Sequence, residues 1–121
     1  MTWHFDHLAF STPDGPAVQD AFDGLLGLKP GRRPPFPFPG RWLYQDAQAL
    51  VHVIEQPALE DTVLSHIAFR TDDDAALVLK RVQASGLPYQ VAQVPEDGIW
   101  QIFVQVPGGL VIELDAKARV A

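Results

Sequence analysis

His7 and His66 occupy the same place in two matching octapeptides, and a glutamate, Glu113, lies in an apolar stretch near the end of the chain. His7-Leu8-Ala9-Phe10-Ser11-Thr12-Pro13-Asp14 and His66-Ile67-Ala68-Phe69-Arg70-Thr71-Asp72-Asp73 share His, Ala, Phe, Thr and Asp at an offset of 59 residues. If each octapeptide opens as a β-strand, its side chains alternate between two faces. Leu8 with Phe10, and Ile67 with Phe69, are then the large apolar pairs that a helix must cover, so both histidines point to the opposite, concave side. In Val111-Ile112-Glu113-Leu114 the same alternation packs Ile112 and Leu114 under a helix and sends Glu113 to the side of the histidines. Two imidazoles and one carboxylate make a facial ligand set for a divalent ion that leaves positions open for water and substrate. The other reading is a pair of buried, hydrogen-bonded core histidines. Repeat-equivalent placement beside a carboxylate favours the metal over that reading.

The elements that must position these residues follow the same repeat. Gly27-Leu28 and Gly86-Leu87 keep the 59-residue offset, so the register holds across the segment after each opening strand. That segment reads as a helix in both halves. In the first, Ala17, Val18, Ala21, Phe22, Leu25 and Leu26 recur at helical spacing on one face, with Pro16 suited to the first turn and Gly27 to the C-terminal cap. In the second, Asp72, Asp73 and Asp74 open the helix, where carboxylates favour the positive end of the dipole, and Gly86 closes it. Strands follow: Tyr89 to Val94, Trp100 to Val106 and Leu110 to Leu114 in the second half, Arg41 to Gln45 and Leu50 to Ile54 in the first. The remaining strand of the first half falls in PGRRPPFPFPG, Pro30 to Gly40, whose prolines suit an edge or a polyproline-like loop. The plan is α+β: two βαβββ modules, 1–56 and 62–121, in one domain of 121 residues.

Composition bounds the function. A hydrophobic content of 47% is enough for a real core. With no cysteine, disulfides, thiolate zinc sites and cysteine nucleophiles are excluded together, and any metal is held by imidazole, carboxylate or water. A net charge of -6 repels phosphate backbones, which argues against nucleic acid and for a small-molecule substrate. No apolar run is long enough for a membrane span and no secretory signal is evident, so the expected compartment is the cytoplasm.

With these residues in view, the chain resembles the vicinal oxygen chelate superfamily, which includes glyoxalase I, methylmalonyl-CoA epimerase, fosfomycin-resistance thiol transferases, extradiol dioxygenases and bleomycin-binding proteins. The resemblance rests on His7-Leu8-Ala9-Phe10, Leu25-Leu26-Gly27-Leu28, His66-Ile67-Ala68-Phe69, and Phe103 to Glu113 with its Pro107-Gly108-Gly109 turn and Val111-Ile112-Glu113-Leu114 ending. It covers nearly the whole chain and implies a glyoxalase-like open barrel. It also implies that His7, His66 and Glu113 are ligands of a divalent ion (Zn, Ni, Co, Mn or Fe), with a fourth ligand from the last strand of the first half. There Val51-His52-Val53-Ile54-Glu55 offers His52 and Glu55, which face opposite ways on a regular strand. His52 is the better choice, because it leaves Val51 and Val53 to cover the helix as Ile112 and Leu114 do, whereas an inward Glu55 puts an imidazole against apolar surface. His4 has the opposite parity to His7 and reads as a surface residue.

The 59-residue offset aligns Trp42 with Gln101 and Tyr44 with Phe103, four residues expected to line the cavity. Lys29, Arg32, Arg33 and Arg41 gather basic charge around the proline-rich stretch; Arg33 is the candidate to attract an anionic substrate group, an ordinary solvated loop being the alternative. The expected chemistry is isomerase, epimerase or lyase catalysis on a substrate that chelates the ion through neighbouring oxygens, with Glu113 or a metal-bound water as base. An Fe(II) extradiol dioxygenase that leaves His52 uncoordinated is the nearest rival. A metal-free binder of the bleomycin-resistance kind has no use for the triad, and thiol transfer to fosfomycin fits the proline-rich segment poorly. The halves can pair within one chain or by exchange with a second copy. Exposed sheet edges remain in both cases, pointing to a twofold homodimer.

Overall fold

A computed structural model of the chain describes residues 1–118. The elements run β1 (His4–Thr12), α1 (Gly15–Leu26), β2 (Lys29–Gly31), β3 (Gly40–Gln45), β4 (Gln48–Glu55), β5 (Val63–Arg70), α2 (Ala75–Ser85), β6 (Tyr89–Gln93), β7 (Ile99–Val106) and β8 (Leu110–Lys117). The order βαβββ thus occurs twice. By their contacts the residues form two compact units, one of His7–Ser65 and the other of Met1–Asp6 with the chain from His66 onward. None of the helices among the described residues is long and apolar enough to cross a membrane.

In the His7–Ser65 unit the strands are ordered β2-β3-β4-β1, with β1 and β4 parallel and the other pairs antiparallel. Asp14 caps α1 by accepting a 3.1 Å hydrogen bond from the Ala17 N–H, and Gly27 ends it in the left-handed conformation (φ 72°), donating its N–H to the Asp23 carbonyl at 2.8 Å. Leu28, Leu43, Val51 and Val53 are buried beneath α1, with Phe10, Val18 and Phe22 against them. The face expected of α1 is only partly used. Val18 and Phe22 pack inward, while Leu25 and Leu26 are 84% and 64% exposed. The reason lies in the cap: the turn at Gly27 carries Leu28 back under the helix, where it fills the space the last helical turn would otherwise cover. The proline-rich stretch gives a three-residue edge strand and irregular chain from residue 32 to 39. Gly31 is needed where it stands, since a Cβ there would lie 2.6 Å from Cδ1 of the Tyr44 ring.

The second unit repeats this arrangement, its strands ordered β5-β8-β7-β6 with β5 and β8 parallel. Asp74 caps α2 through the Ala76 N–H at 3.1 Å, Asp73 interacts with the Thr71 hydroxyl, and Gly86 (φ 74°) closes the helix, so the aspartate run is spent on the helix start. The core is Ala75, Val78, Val82, Ile102, Val104 and Ala116, with Ile112 and Leu114 against it.

Strand pairing corrects the repeat alignment of the later strands. Ala9 pairs with His52 and Ala68 with Glu113, while Trp42 opposes His52 and Phe103 opposes Glu113. Trp42 therefore corresponds to Phe103, and His52 to Glu113, at an offset of 61 rather than 59. The two additional residues fall between Leu87 and Phe103. Because the shift is even, Trp42 and Phe103 stay on the face expected of them, as do His52 and Glu113, while β3 and β4 carry an irregularity after Leu43.

Leu43→Ala is expected to lower unfolding stability by about 2–5 kcal/mol by leaving a cavity in the core. Leu25→Ala is expected to change it by no more than about 0.5 kcal/mol. Urea denaturation of the two variants measures both; equal losses would show that the end of α1 is packed after all.

Candidate metal centre

His66 and Glu113 meet within one unit. Each is buried, and Nε2 of His66 lies 3.0 Å from Oε1 of Glu113. Strand parity brings them there: Ile112 and Leu114 pack toward α2, so Glu113 projects from the opposite face of β8. Phe103, across from Glu113 on β7, turns its ring edge-on to the His66 imidazole at 5.4 Å between centroids. Gln101 lies on the same strand face as Phe103 and pairs with Asp115 in register.

Asp115 is the residue the sequence reading missed. It stands two positions beyond Glu113 on the same face of β8, and the reading ended that strand at Leu114, whereas β8 continues to Lys117. Alternation carried one step further would have found it. Its carboxyl is pushed up to about 10, first by burial, then by the negative charge of Glu113 and a hydrogen bond with it, and then by the charge of Asp6. Arg70 offsets part of the charge on Asp6 at 3.2 Å and donates to the Phe5 carbonyl. An imidazole among carboxyls this crowded, one of which retains its proton, is a donor set that suits a divalent cation.

In the His7–Ser65 unit, His7 is buried and its ring stacks on that of His52, with centroids 3.5 Å apart and planes 13° from parallel. His52 stacks in turn on Trp42 at 3.9 Å. Val51 and Val53 fill the core beneath α1, which leaves His52 on the face of His7. Glu55 turns the other way, accepting a 2.9 Å bond from Arg41. The lone pair of an imidazole nitrogen lies in the plane of its ring, so the lone pairs of two rings stacked this way do not converge on one point. Joint ligation by His7 and His52 therefore requires one ring to turn.

The remaining candidates divide. Arg33 lies over the rings of Phe36 and Phe38, 5.1 and 5.0 Å from their centroids, and donates to the Phe38 carbonyl. Its pKa is lowered by burial, an effect opposed by Glu55. Phe36 in turn meets Trp42 at 6.0 Å, so the proline-rich chain is held against the Trp42 side through these aromatic contacts. Tyr44 donates its hydroxyl proton to the Arg32 carbonyl. Lys29 and Arg41 are paired with Asp23 and Glu55, so much of the basic charge expected around this stretch is neutralised locally. His4 is exposed.

No protein-family model matches the chain, and a search of curated proteins gives no match. Solved structures do match. A hypothetical protein from Bacillus halodurans C-125 aligns over 100% of this chain and 99% of its own, with a TM-score of 0.75 at 16% identity. A methylmalonyl-CoA epimerase from Mycobacterium tuberculosis aligns over 95% of this chain and 88% of its own, with a TM-score of 0.69 at 15% identity. The Mn(II)-bound glyoxalase from Novosphingobium aromaticivorans aligns over 97% of this chain, with a TM-score of 0.72 at 16% identity, and this chain spans 41% of that one. The two βαβββ units therefore share the fold of these methylmalonyl-CoA epimerase and glyoxalase structures.

Proposed function

We propose that the chain is a divalent-metal-dependent enzyme of the cytoplasm, working as a homodimer, that isomerises or epimerises a small substrate chelating the ion through neighbouring oxygens. The observation that carries this reading is the buried His66–Glu113 pair beside the protonated Asp115. His7, His66 and Glu113 are the ligands, and His52, which corresponds to Glu113 in the strand register, supplies a fourth once its ring turns out of the stack. Held by these residues, a divalent ion would supply Lewis-acid polarisation of a substrate carbonyl. Glu113 is the catalytic residue: its carboxylate takes the proton next to that carbonyl and returns it. Asp115 holds a proton against Glu113 and limits the charge gathered there. Trp42, Phe103, Gln101, Tyr44 and Arg33 form the substrate walls, the aromatic rings excluding water and Arg33 meeting an anionic group.

The His7–His52 stack favours a second reading. If His52 stays in the stack, three ligands and a more open coordination sphere remain, as an Fe(II) extradiol-type dioxygenase requires. Elemental analysis of protein purified without chelator separates the two. Zn, Ni, Co or Mn supports the isomerase reading, and stoichiometric Fe supports the oxygenase.

His66→Ala and Glu113→Ala are each expected to lower metal affinity by about tenfold or more with the fold intact. Calorimetric titration with Mn(II) or Zn(II) measures this, and unchanged binding in both variants would remove the proposed site. His52→Ala weakens binding in the four-ligand reading and leaves it unaltered in the three-ligand one.

A second expectation concerns pH. In the metal-free fold Asp115 stays protonated up to about 10, whereas in the unfolded chain it ionises near 3.8. The native state then holds the extra proton between those values, so stability falls as pH rises, by up to about 1.4 kcal/mol per unit for one proton. Asp115→Asn should reduce this slope and raise the melting temperature of the metal-free protein at pH 8. Calorimetric melts from pH 5 to pH 9 in the presence of a chelator test it, and an unchanged slope in the variant would contradict the assignment.

A further inference from the structure

The two outermost strands differ in how their free edges are protected. β2 is three residues long and carries Lys29 and Pro30, features that discourage strand addition. β6, Tyr89-Gln90-Val91-Ala92-Gln93, has neither charge nor proline, every residue is exposed, and it pairs on one side only, with β7. In a chain of net charge -6, this neutral strand is a place where two copies can approach without bringing like charges together.

The hydrogen-bond phase of β6 decides what the edge can accept. Tyr89 is opposite Val104, and the flanking bonds run from the Gln105 N–H to the Pro88 carbonyl and from the Val94 N–H to the Ile99 carbonyl. In an antiparallel ladder the bonded pairs alternate. Gln90 and Ala92 therefore bond to β7, and the N–H and C=O groups of Tyr89, Val91 and Gln93 point away from the sheet. These three residues are symmetric about Val91. A second β6 laid antiparallel on a twofold axis through Val91 sets Tyr89 against Gln93 of the copy, Val91 against Val91, and Gln93 against Tyr89. All three pairs have outward-facing groups, so the strands can form about six backbone hydrogen bonds.

Side chains agree with this register. Tyr89 and Val91 share a sheet face with their partners Val104 and Ile102, which are buried under α2, and the Tyr89 hydroxyl accepts a 3.0 Å bond from Gln83 of that helix. Val91 is nevertheless 43% exposed, and the twofold would cover it with its own copy. The acidic Glu96-Asp97 turn that follows β6 falls at opposite ends of an antiparallel ribbon. The two turns are then on the order of 30 Å apart at about 3.4 Å per residue, well beyond the screening length of about 8 Å. A parallel arrangement would set them side by side.

We propose that the edge of β6 is the homodimer interface, and that the partner it fits is a second copy of β6 in antiparallel register about Val91. This rests on the homodimer reading above and identifies its surface. The natural chain has no cysteine, so a single Val91→Cys substitution gives one thiol per subunit. Bonded antiparallel partners have Cα atoms about 5.5 Å apart, within disulfide range. Val91→Pro removes an outward N–H and leaves the β6–β7 bonds in place, and thermal melting confirms that this variant folds.

Sedimentation of the metal-loaded protein is expected to show a dimer at tens of micromolar, Val91→Pro raising its dissociation constant at least tenfold. Under mild oxidation Val91→Cys should give a disulfide-linked dimer far faster than Leu25→Cys on α1. A dimer indifferent to Val91→Pro, with no preferential cross-link at Val91, would overturn the β6 interface and leave the homodimer standing. A natural chain that is monomeric at 100 µM would overturn both.

Discussion

Strand alternation under a helix is the constraint on which this structure depends. Once Phe10, Val51 and Val53 are committed to the core beneath α1, and Ile112 and Leu114 to the core beneath α2, the residues between them have nowhere to go but the other face. His52 and Glu113 are placed by their neighbours. The apolar residues supply the folding energy, and the polar ones are positioned at no cost to packing. This separation is what lets one architecture present several donors from strands whose stability comes entirely from the reverse side.

Where polar groups are gathered under burial, the electrostatic penalty has to appear somewhere. Here it falls on Asp115, whose carboxyl keeps its proton first because it is buried away from water and then because Glu113 and Asp6 are close. Arg70 relieves only Asp6, at the more exposed end. In the other unit the crowding is of rings: His7, His52 and Trp42 stack as a ladder. The two units thus present chemically different halves from the same plan, one dominated by carboxyls and one by aromatic nitrogen.

Much of the fold was legible in the sequence because its determinants are local. The repeated octapeptide, the capping aspartates and the glycines at 27 and 86 each act within a few residues, and the helices begin and end where these place them. The faces of His7, His52, His66 and Glu113 were legible for the same reason, since parity survives errors of register. What was not legible depends on pairing across the chain. The offset of 61 in the later strands is set by hydrogen-bonded partners far apart in sequence, and the displacement of Leu25 and Leu26 by Leu28 depends on where the chain goes after the cap. Asp115 lies just beyond the apolar alternation that ends at Leu114, so the length of β8, and not its parity, is what the sequence leaves open. The stacking of His7 on His52 is a side-chain rotation, and no sequence pattern specifies it.

The even difference between the two units bears on how such a chain can diverge. Between the helix cap and the third strand of the module, the second unit carries a net two residues more than the first. A slip of one residue carried into the register of β7 would have moved Ile102 and Val104 to the open face and driven Gln101 and Phe103 into the core. Drift in loop length is therefore quantised in this architecture: the half-repeats can lengthen or shorten by pairs of residues and keep their donors in place, while single steps must be absorbed outside the strands, at turns or bulges, before selection ever meets the chemistry.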